Sequence, residues 1–130
     1  MTLVYEFILV GVGGALGAMC RFVASKFASA IGFAVIGAIP LATMAVNFVG
    51  CFLAGFVFSM VSRGGALAEE VRLLCIVGFL GGFTTFSAFS VETLLVMREA
   101  GDWSCLLFVS AMVVSALLAA AAGRLVAGYF

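Results

Sequence analysis

Histidine is absent from this 130-residue chain, and proline occurs only once. Without histidine there is no Ser-His or Cys-His catalytic pair, no imidazole ligand for a metal and no imidazole proton relay. Charged residues are also few, six basic and six acidic, so the formal net charge is zero. A chain without a basic patch lacks the electrostatic signature of nucleic-acid binding. We therefore expect neither an enzyme nor a nucleic-acid-binding protein.

Hydrophobic residues make up 66% of the chain and charged residues 9%, whereas soluble domains average roughly 45–50% apolar and about 25% charged residues. The apolar residues form four stretches, approximately 3–30, 41–61, 71–97 and 103–126. Each exceeds the ~20 residues that cross a bilayer, and none alternates with the period that a β-barrel requires. The sequence predicts an all-α integral membrane protein, a single domain (1–130) of four transmembrane helices.

Positive charges are divided equally between the two sides that four crossings would define. The positive-inside rule then has no bias to act on, and one small four-span chain has little interior for an ion pathway of its own. We predict that the chain inserts in both orientations and forms an antiparallel homodimer, with a site between the copies. A fixed topology set by other signals is the alternative. The residues are Arg63, Arg72 and Arg124 on one side, and Arg21, Lys26 and Arg98 on the other.

Small and hydroxylated residues interrupt the third apolar stretch between positions 78 and 90. Backbone at membrane depth must satisfy its own hydrogen bonds unless it is buried or lines a wet cavity. The Gly81-Gly82 pair invites a helix break near the middle of the span, and Thr84, Thr85 and Ser87 place hydroxyl groups beside it. Membrane proteins build ion sites from broken helices of this kind. We interpret the segment as the core of an ion pathway.

Asn47 is the only asparagine or glutamine in the sequence. It shares one narrow helical stripe of the second span with Thr43, Gly50 and Ala54. A carboxamide in hydrocarbon is unfavourable unless it is hydrogen-bonded, and its NH2 group offers two donors to an anion that has lost water. The alternative is an interhelical hydrogen bond that only holds two helices together.

Four further side chains are candidates for a pathway. Phe86 and Phe89 share one face of the third span, and their ring edges carry partial positive charge that suits a narrow anion passage; lipid-facing or core packing is the alternative. Glu92 lies well inside the same span, and it either bonds a pathway group or extends to the helix end. Arg21 either snorkels to the interface or gives an anion entrance a positive potential.

Three motifs, residues 13–21, 40–50 and 78–90, followed by the fourth span, resemble the Fluc (CrcB-type) fluoride channels. The combination of Gly-Gly-Phe-Thr-Thr-Phe-Ser with an upstream Val-Asn-Phe-Val-Gly is specific, and the match covers essentially the whole chain. The resemblance implies passive fluoride export through two pores of an antiparallel, dual-topology homodimer, with the third helix broken near its middle. It also implies residence in the plasma (inner) membrane.

The resemblance further implies roles for individual residues. Main-chain carbonyls of Gly81 and Thr84 would hold a structural sodium ion at the dimer centre, and Arg21 would lie at the anion entrance. Four positions depart from the family pattern, since Ala42 and Met44 replace the glycine and leucine that flank its threonine, Ala88 replaces a hydroxylated residue and Phe108 replaces a tyrosine. The implied fluoride pathway consists of Asn47, Phe86 and Phe89 in the pore, Thr85, Ser87 and Glu92 in a polar track, and Ser110 or Ser115 as the hydroxyl of the fourth helix.

Two other classes of membrane protein compete with this interpretation. A small multidrug-resistance-type exporter has the same size and frequent dual topology, but it needs an acid embedded in its first span to couple protons to cation export. Glu6 lies too near the N-terminus for that, and Arg21 would repel cations. A non-transporting scaffold would leave Asn47 and the Gly-Gly-Thr-Thr segment without a purpose, so the channel is favoured.

Overall fold

Helices form the regular structure of the described part of the chain, residues 2–33, 35–36 and 38–130 of a computed structural model. A single pair of bridging hydrogen bonds between Ile36 and Ile39 is the exception among these residues. The predicted all-α membrane protein is confirmed at this level. Within these residues, three helical stretches are long and apolar enough to cross a membrane: α1 (Leu3–Ala30), α2 (Leu41–Val61) and a longer stretch over Ala68–Ala127.

The longest stretch is not one regular helix. We call residues 68–83 α3; it begins with an α-helical turn at Ala68–Val71, widens to π-helical hydrogen bonding over Arg72–Leu80 and closes with Gly81–Phe83. Helix α4 comprises Phe86–Ala127. Gly101 inside α4 has φ 83° and ψ 173°, a left-handed conformation that glycine adopts without strain, so α4 bends there.

Thr84 and Thr85 separate α3 from α4 with extended backbone, φ −78° and ψ 158° at Thr84 and φ −147° and ψ 122° at Thr85. The sequence favoured Gly81-Gly82 for this departure from helix, yet Gly81 keeps helical angles of φ −62° and ψ −37°. Gly82 serves contact with α1 instead, because a Cβ there would lie 3.1 Å from the backbone nitrogen of Ala18. The count of four separate crossings stays a prediction.

Glycines bring α1 and α3 into main-chain contact. Gly13 and Gly17 are buried, and a Cβ on Gly13 would lie 2.9 Å from the backbone nitrogen of Phe79. A Cβ on Gly17 would collide with the carbonyl oxygen of the same residue. Small residues at this spacing let two membrane helices approach closely, so this GxxxG pair is a packing feature.

The buried core lies between α2 and α4. A Cβ on Gly55 would collide with the carbonyl of Ala120, and one on Gly123 with the carbonyl of Phe52, so the main chains of these helices also touch. Because lipid tails are as apolar as the core itself, large side chains elsewhere face outward, as Phe22 and Phe27 do on α1. The core cluster on α4 is Phe89, Val96, Phe108 and Met112.

Candidate functional site

The carboxamide of Asn47 pairs with the main chain of Thr85. Its Nδ2 donates to the Thr85 carbonyl oxygen at 3.2 Å, and the Thr85 N–H donates to its Oδ1 at 2.9 Å. Only 8% of Asn47 is exposed, so both bonds lie away from solvent and both are needed to satisfy the amide. The structure thus contains the hydrogen bonding between helices that was the alternative interpretation of Asn47. These bonds join the Asn47 side chain to the main chain of the residue that precedes α4.

This pairing ends the regular helix of α3. In a continuing helix the Thr85 N–H would donate to the Gly81 carbonyl, but it donates to Asn47 instead. The preceding residue is still helical in its bonding, since the Thr84 N–H and the Thr84 hydroxyl both donate to the Leu80 carbonyl, at 2.9 and 2.8 Å. The departure from helix therefore falls at the residue that Asn47 bonds.

Thr85 also begins α4. Its Oγ1 accepts from the Ala88 N–H at 3.1 Å, the N-cap bond that satisfies one of the free amides in the first turn of a helix. The same oxygen lies 3.2 Å from the Ser87 hydroxyl. One residue thus closes α3, accepts the bond that starts α4 and is held by α2.

A cavity of about 300 Å³ lies between α2, the Thr84–Thr85 turn and α4. Phe86 at its rim is 78% exposed, whereas Phe89 is 8% exposed, and the two ring centroids are 5.4 Å apart in an edge-to-face arrangement. The Phe89 ring continues to Phe108, with centroids 5.6 Å apart. The cavity is lined by Asn47, Cys51, Thr84, Thr85, Phe86, Phe89, Met112, Val113, Ala116 and Leu117.

A second polar contact lies one turn earlier on α2. The Thr43 hydroxyl donates to Oε1 of Glu92 at 2.6 Å. The other carboxyl oxygen, Oε2, is buried and has no hydrogen-bond partner among the described residues. Thr43 therefore contacts the second turn of α4, at Glu92, and Asn47 contacts Thr85, the residue that precedes α4.

Arg21 crosses from α1 to the end of α3. Its Nε donates to the Gly82 carbonyl oxygen at 3.1 Å, and the side chain is half-buried. The guanidinium therefore lies beside the last turn before Thr84. It adds positive charge near the turn and holds α1 against it.

A family model described as "CrcB-like protein, Camphor Resistance (CrcB)" matches residues 8–124. The chain belongs to the CrcB family. The resemblance predicted from the motifs is thus confirmed, and the chain is a multi-pass membrane protein of a family whose relatives carry channel names, not enzyme names.

Curated relatives of this CrcB-family chain are named "Fluoride-specific ion channel FluC". The protein from Rhizobium etli is 39% identical over 89% of this chain and 90% of its own length. That from Azobacteroides pseudotrichonymphae is 33% identical over 96% and 98%. That from Methylobacillus flagellatus is 39% identical over 73% of each chain. The family model spans residues 8–124 and therefore includes the candidate site.

The structure brings together some of the predicted site residues of this CrcB-family chain and leaves others apart. Ser110 is exposed, and the Ser115 hydroxyl donates to the Met112 carbonyl of its own helix at 3.1 Å; neither lines the cavity of the single chain. Glu92 bonds Thr43 beyond the cavity lining. The residues that meet around the cavity are Asn47, Thr84, Thr85, Phe86 and Phe89.

Two sulfur-containing side chains of the cavity were not predicted. The Met112 Sδ lies 4.0 Å from Asn47 Nδ2, and Cys51 lines the same wall. Helical spacing holds a signal for both, since Cys51 follows Asn47 by one turn and Met112 follows Phe108 by one turn. Their residue types, which are common in apolar packing, gave no reason to select them.

Proposed function

We propose that this CrcB-family chain is a passive, fluoride-selective ion channel that exports fluoride from the cytoplasm across the inner membrane. The supporting observation is the pairing of Asn47 with Thr85, which draws the start of α4 and its phenylalanines to one cavity. The names of the relatives supply the ion, since each compared protein is called a fluoride-specific channel.

The cavity lining suits a small anion that must shed tightly held water. The Thr85 hydroxyl and the edges of the Phe86 and Phe89 rings present partial positive charge without a full countercharge. Such contacts replace part of the hydration shell but bind weakly, and weak, successive binding allows an ion to leave again. A narrow bore between rings would exclude the larger chloride.

An antiparallel homodimer with two pores completes the proposal. Phe86 is 78% exposed and borders a cavity that is open on one side in the single chain, so a second copy would supply the missing wall. The bend at Gly101, between the predicted third and fourth spans, would divide the stretch over Ala68–Ala127 into a third and a fourth crossing. Evenly divided positive charge would permit both orientations.

The main-chain oxygens beside the turn fit a structural sodium ion. The Gly81 carbonyl loses its expected helical donor because the Thr85 N–H donates to Asn47, and Thr84 is extended. Carbonyls of unwound backbone are the oxygen donors that sodium takes in membrane proteins. Gly81 and Thr84 of two copies would hold the ion, and its charge would join the copies and raise the local positive potential.

The remaining predicted residues would extend the pathway beyond the cavity. Glu92 and Thr43 form a polar contact next to it, and Ser87 lies beside Thr85. In the dimer, Ser110 or Ser115 would supply the fourth-helix hydroxyl. Arg21 at Gly82 would give the anion entrance a positive potential.

Ion efflux from liposomes tests the proposal. Purified protein is reconstituted in vesicles that hold potassium fluoride or potassium chloride, and valinomycin balances the charge. We expect rapid loss of fluoride with chloride retained. Absence of fluoride flux from dimeric protein would contradict the channel, and proton-driven cation uptake would indicate the exporter class instead.

A further inference from the structure

We propose that Asn47 is a positioning residue, which sets the location of Phe86 by holding the main chain of Thr85, rather than a residue devoted to binding the ion. This role deepens the proposed function, and it rests on that function only where Phe86 is taken to line the fluoride pathway. The structural part of the role is independent of which ion passes.

The hydrogen-bonding capacity of the amide is largely used within the chain. Oδ1 accepts from the Thr85 N–H, and one Nδ2 hydrogen is donated to the Thr85 carbonyl. The nearest partner for the other hydrogen is Met112 Sδ at 4.0 Å, which is a weak acceptor. A passing anion would therefore find one donor hydrogen at most, while the rest of the amide holds backbone.

Gly50 makes the approach of the turn to α2 possible. A Cβ on Gly50 would collide with Thr84 Cγ2 and would lie 3.2 Å from Cδ1 of Phe83. Thr84 cannot turn aside without cost, because its hydroxyl is bonded to the Leu80 carbonyl at 2.8 Å. Asn47 thus bonds Thr85, and the absence of a side chain at Gly50 leaves space for Thr84.

The position of Phe86 is set by the position of Thr85. Within the single chain the Phe86 side chain is 78% exposed, and its ring has one aromatic neighbour, Phe89. So little packing cannot fix the residue, whereas its backbone directly follows the bonded Thr85 and starts α4. The two hydrogen bonds of Asn47 are therefore the strongest local constraint on where the ring enters the cavity.

Amide hydrogen exchange in a fluoride-free bilayer mimic tests this role. The Thr85 N–H is expected to exchange slowly in the wild type. In Asn47→Ala it loses its acceptor, and exchange should become roughly tenfold faster or more at Thr85 and Phe86. Asn47→Asp keeps an oxygen acceptor and should retain most of the protection at Thr85. Ser62→Ala, which changes another polar residue at the end of α2, is the matched control and should change nothing at the turn.

The wild type carries a second, internal test. Because Asn47 is the only carboxamide in the chain, it gives the only side-chain amide NH2 signal in a nitrogen-15 spectrum, separate in shift from the arginine guanidinium groups. We expect one of its two hydrogens, the one bonded to Thr85, to be protected and insensitive to added sodium fluoride. If added fluoride shifts the signals of both hydrogens and speeds hydrogen exchange at Thr85, the amide releases the main chain in order to bind the ion. The proposal is then wrong.

Two further results would overturn the role. Equal Thr85 exchange in wild type and Asn47→Ala would show that the amide does not hold the turn. Loss of protection at Thr85 in Asn47→Asp, which keeps the oxygen acceptor, would show that the bond to Oδ1 does not hold the turn. This comparison with the wild type remains available if the alanine variant fails to fold. Loss of fluoride flux in the wild type would remove the proposed function but leave these exchange results unaffected, so the two failures are distinguishable.

Discussion

Helix α2 meets the chain from Thr85 onward in two different ways along its length. Near its start the contact is made by hydrogen bonds between polar groups, and near its end it is made by main chain against main chain. We call these the polar contact, Thr43 with Glu92 and Asn47 with Thr85, and the glycine contact, Gly55 with Ala120 and Gly123 with Phe52.

The difference follows from the regularity of the backbone. At the glycine contact both helices are regular, so their own hydrogen bonds satisfy every peptide group and only close approach is needed. At the polar contact Thr85 is extended, and its N–H and carbonyl need partners from elsewhere. A side chain with both a donor and an acceptor is placed there. The side chain of Asn47 therefore marks where the regular helix stops.

Substitution at the glycine contact should have the largest effect. Gly123→Leu would drive a side chain into the Phe52 carbonyl, and overpacking of this kind costs about 1–3 kcal/mol or more. We expect the purified protein to lose its single peak in size-exclusion chromatography. Gly11→Leu is the matched control, since a Cβ there meets nothing within 4 Å. Identical chromatograms for the two variants would remove the packing role of Gly123.

The next largest effect should appear at Phe86, which directly follows the polar contact, and it should appear in fluoride flux instead of assembly. Phe86→Ile keeps an apolar side chain but removes the ring edge, so we expect fluoride efflux to be lost while the dimer remains. Phe22→Ile, at another exposed phenylalanine on α1, should conduct normally. Wild-type efflux in Phe86→Ile would exclude Phe86 from the pathway.

Gly50→Ala tests whether close packing against a glycine also positions the Thr84–Thr85 turn. The added methyl would push against Thr84 and move the residues that precede α4. We expect fluoride efflux to fall by roughly tenfold, as a strain of about 1–2 kcal/mol at the turn would produce. Thermal stability should change less than in Gly123→Leu. Normal fluoride efflux in Gly50→Ala would show that Thr84 can accommodate the added methyl group, so that glycine is not required at position 50.

Thr43→Val should give the smallest effect. It keeps the shape of the side chain but removes the bond to Glu92, and single polar bonds between membrane helices average ~0.6 kcal/mol. We expect a small fall in melting temperature. Thr93→Val is the control, because its hydroxyl bonds the Phe89 carbonyl of its own helix. A loss of stability in the control as large as in Thr43→Val would mean that the α2–α4 bond adds nothing.

Residue type and spacing predicted the members of the site better than its detail. A lone carboxamide on a stripe of small residues identified Asn47, and helical spacing paired Phe86 with Phe89. The turn itself was misplaced, because glycine propensity pointed to Gly81 and Gly82. Local propensity cannot reveal that Gly82 is needed against α1, or that the reach of Asn47 selects Thr85.

The fourth-helix serines illustrate a second limit. Spacing gives the angle between two residues around one helix, but the rotation of that helix against its neighbours is set by tertiary packing. Ser110 and Ser115 were equally good candidates for that reason, and in the single chain the wall is formed by Met112 and its neighbours instead. Only the second copy of the proposed dimer would decide between the two serines.

The bond between Asn47 and the main chain of Thr85 makes the two positions unequal in the substitutions they tolerate. Every residue except proline brings an N–H and a carbonyl to position 85, and serine or aspartate there would also keep the N-cap bond to Ala88. Position 47 needs a donor and an acceptor at one fixed reach, which aspartate and leucine of similar size do not combine. In a mutational scan, position 85 would therefore tolerate more substitutions than position 47, which lies 38 residues earlier in the sequence.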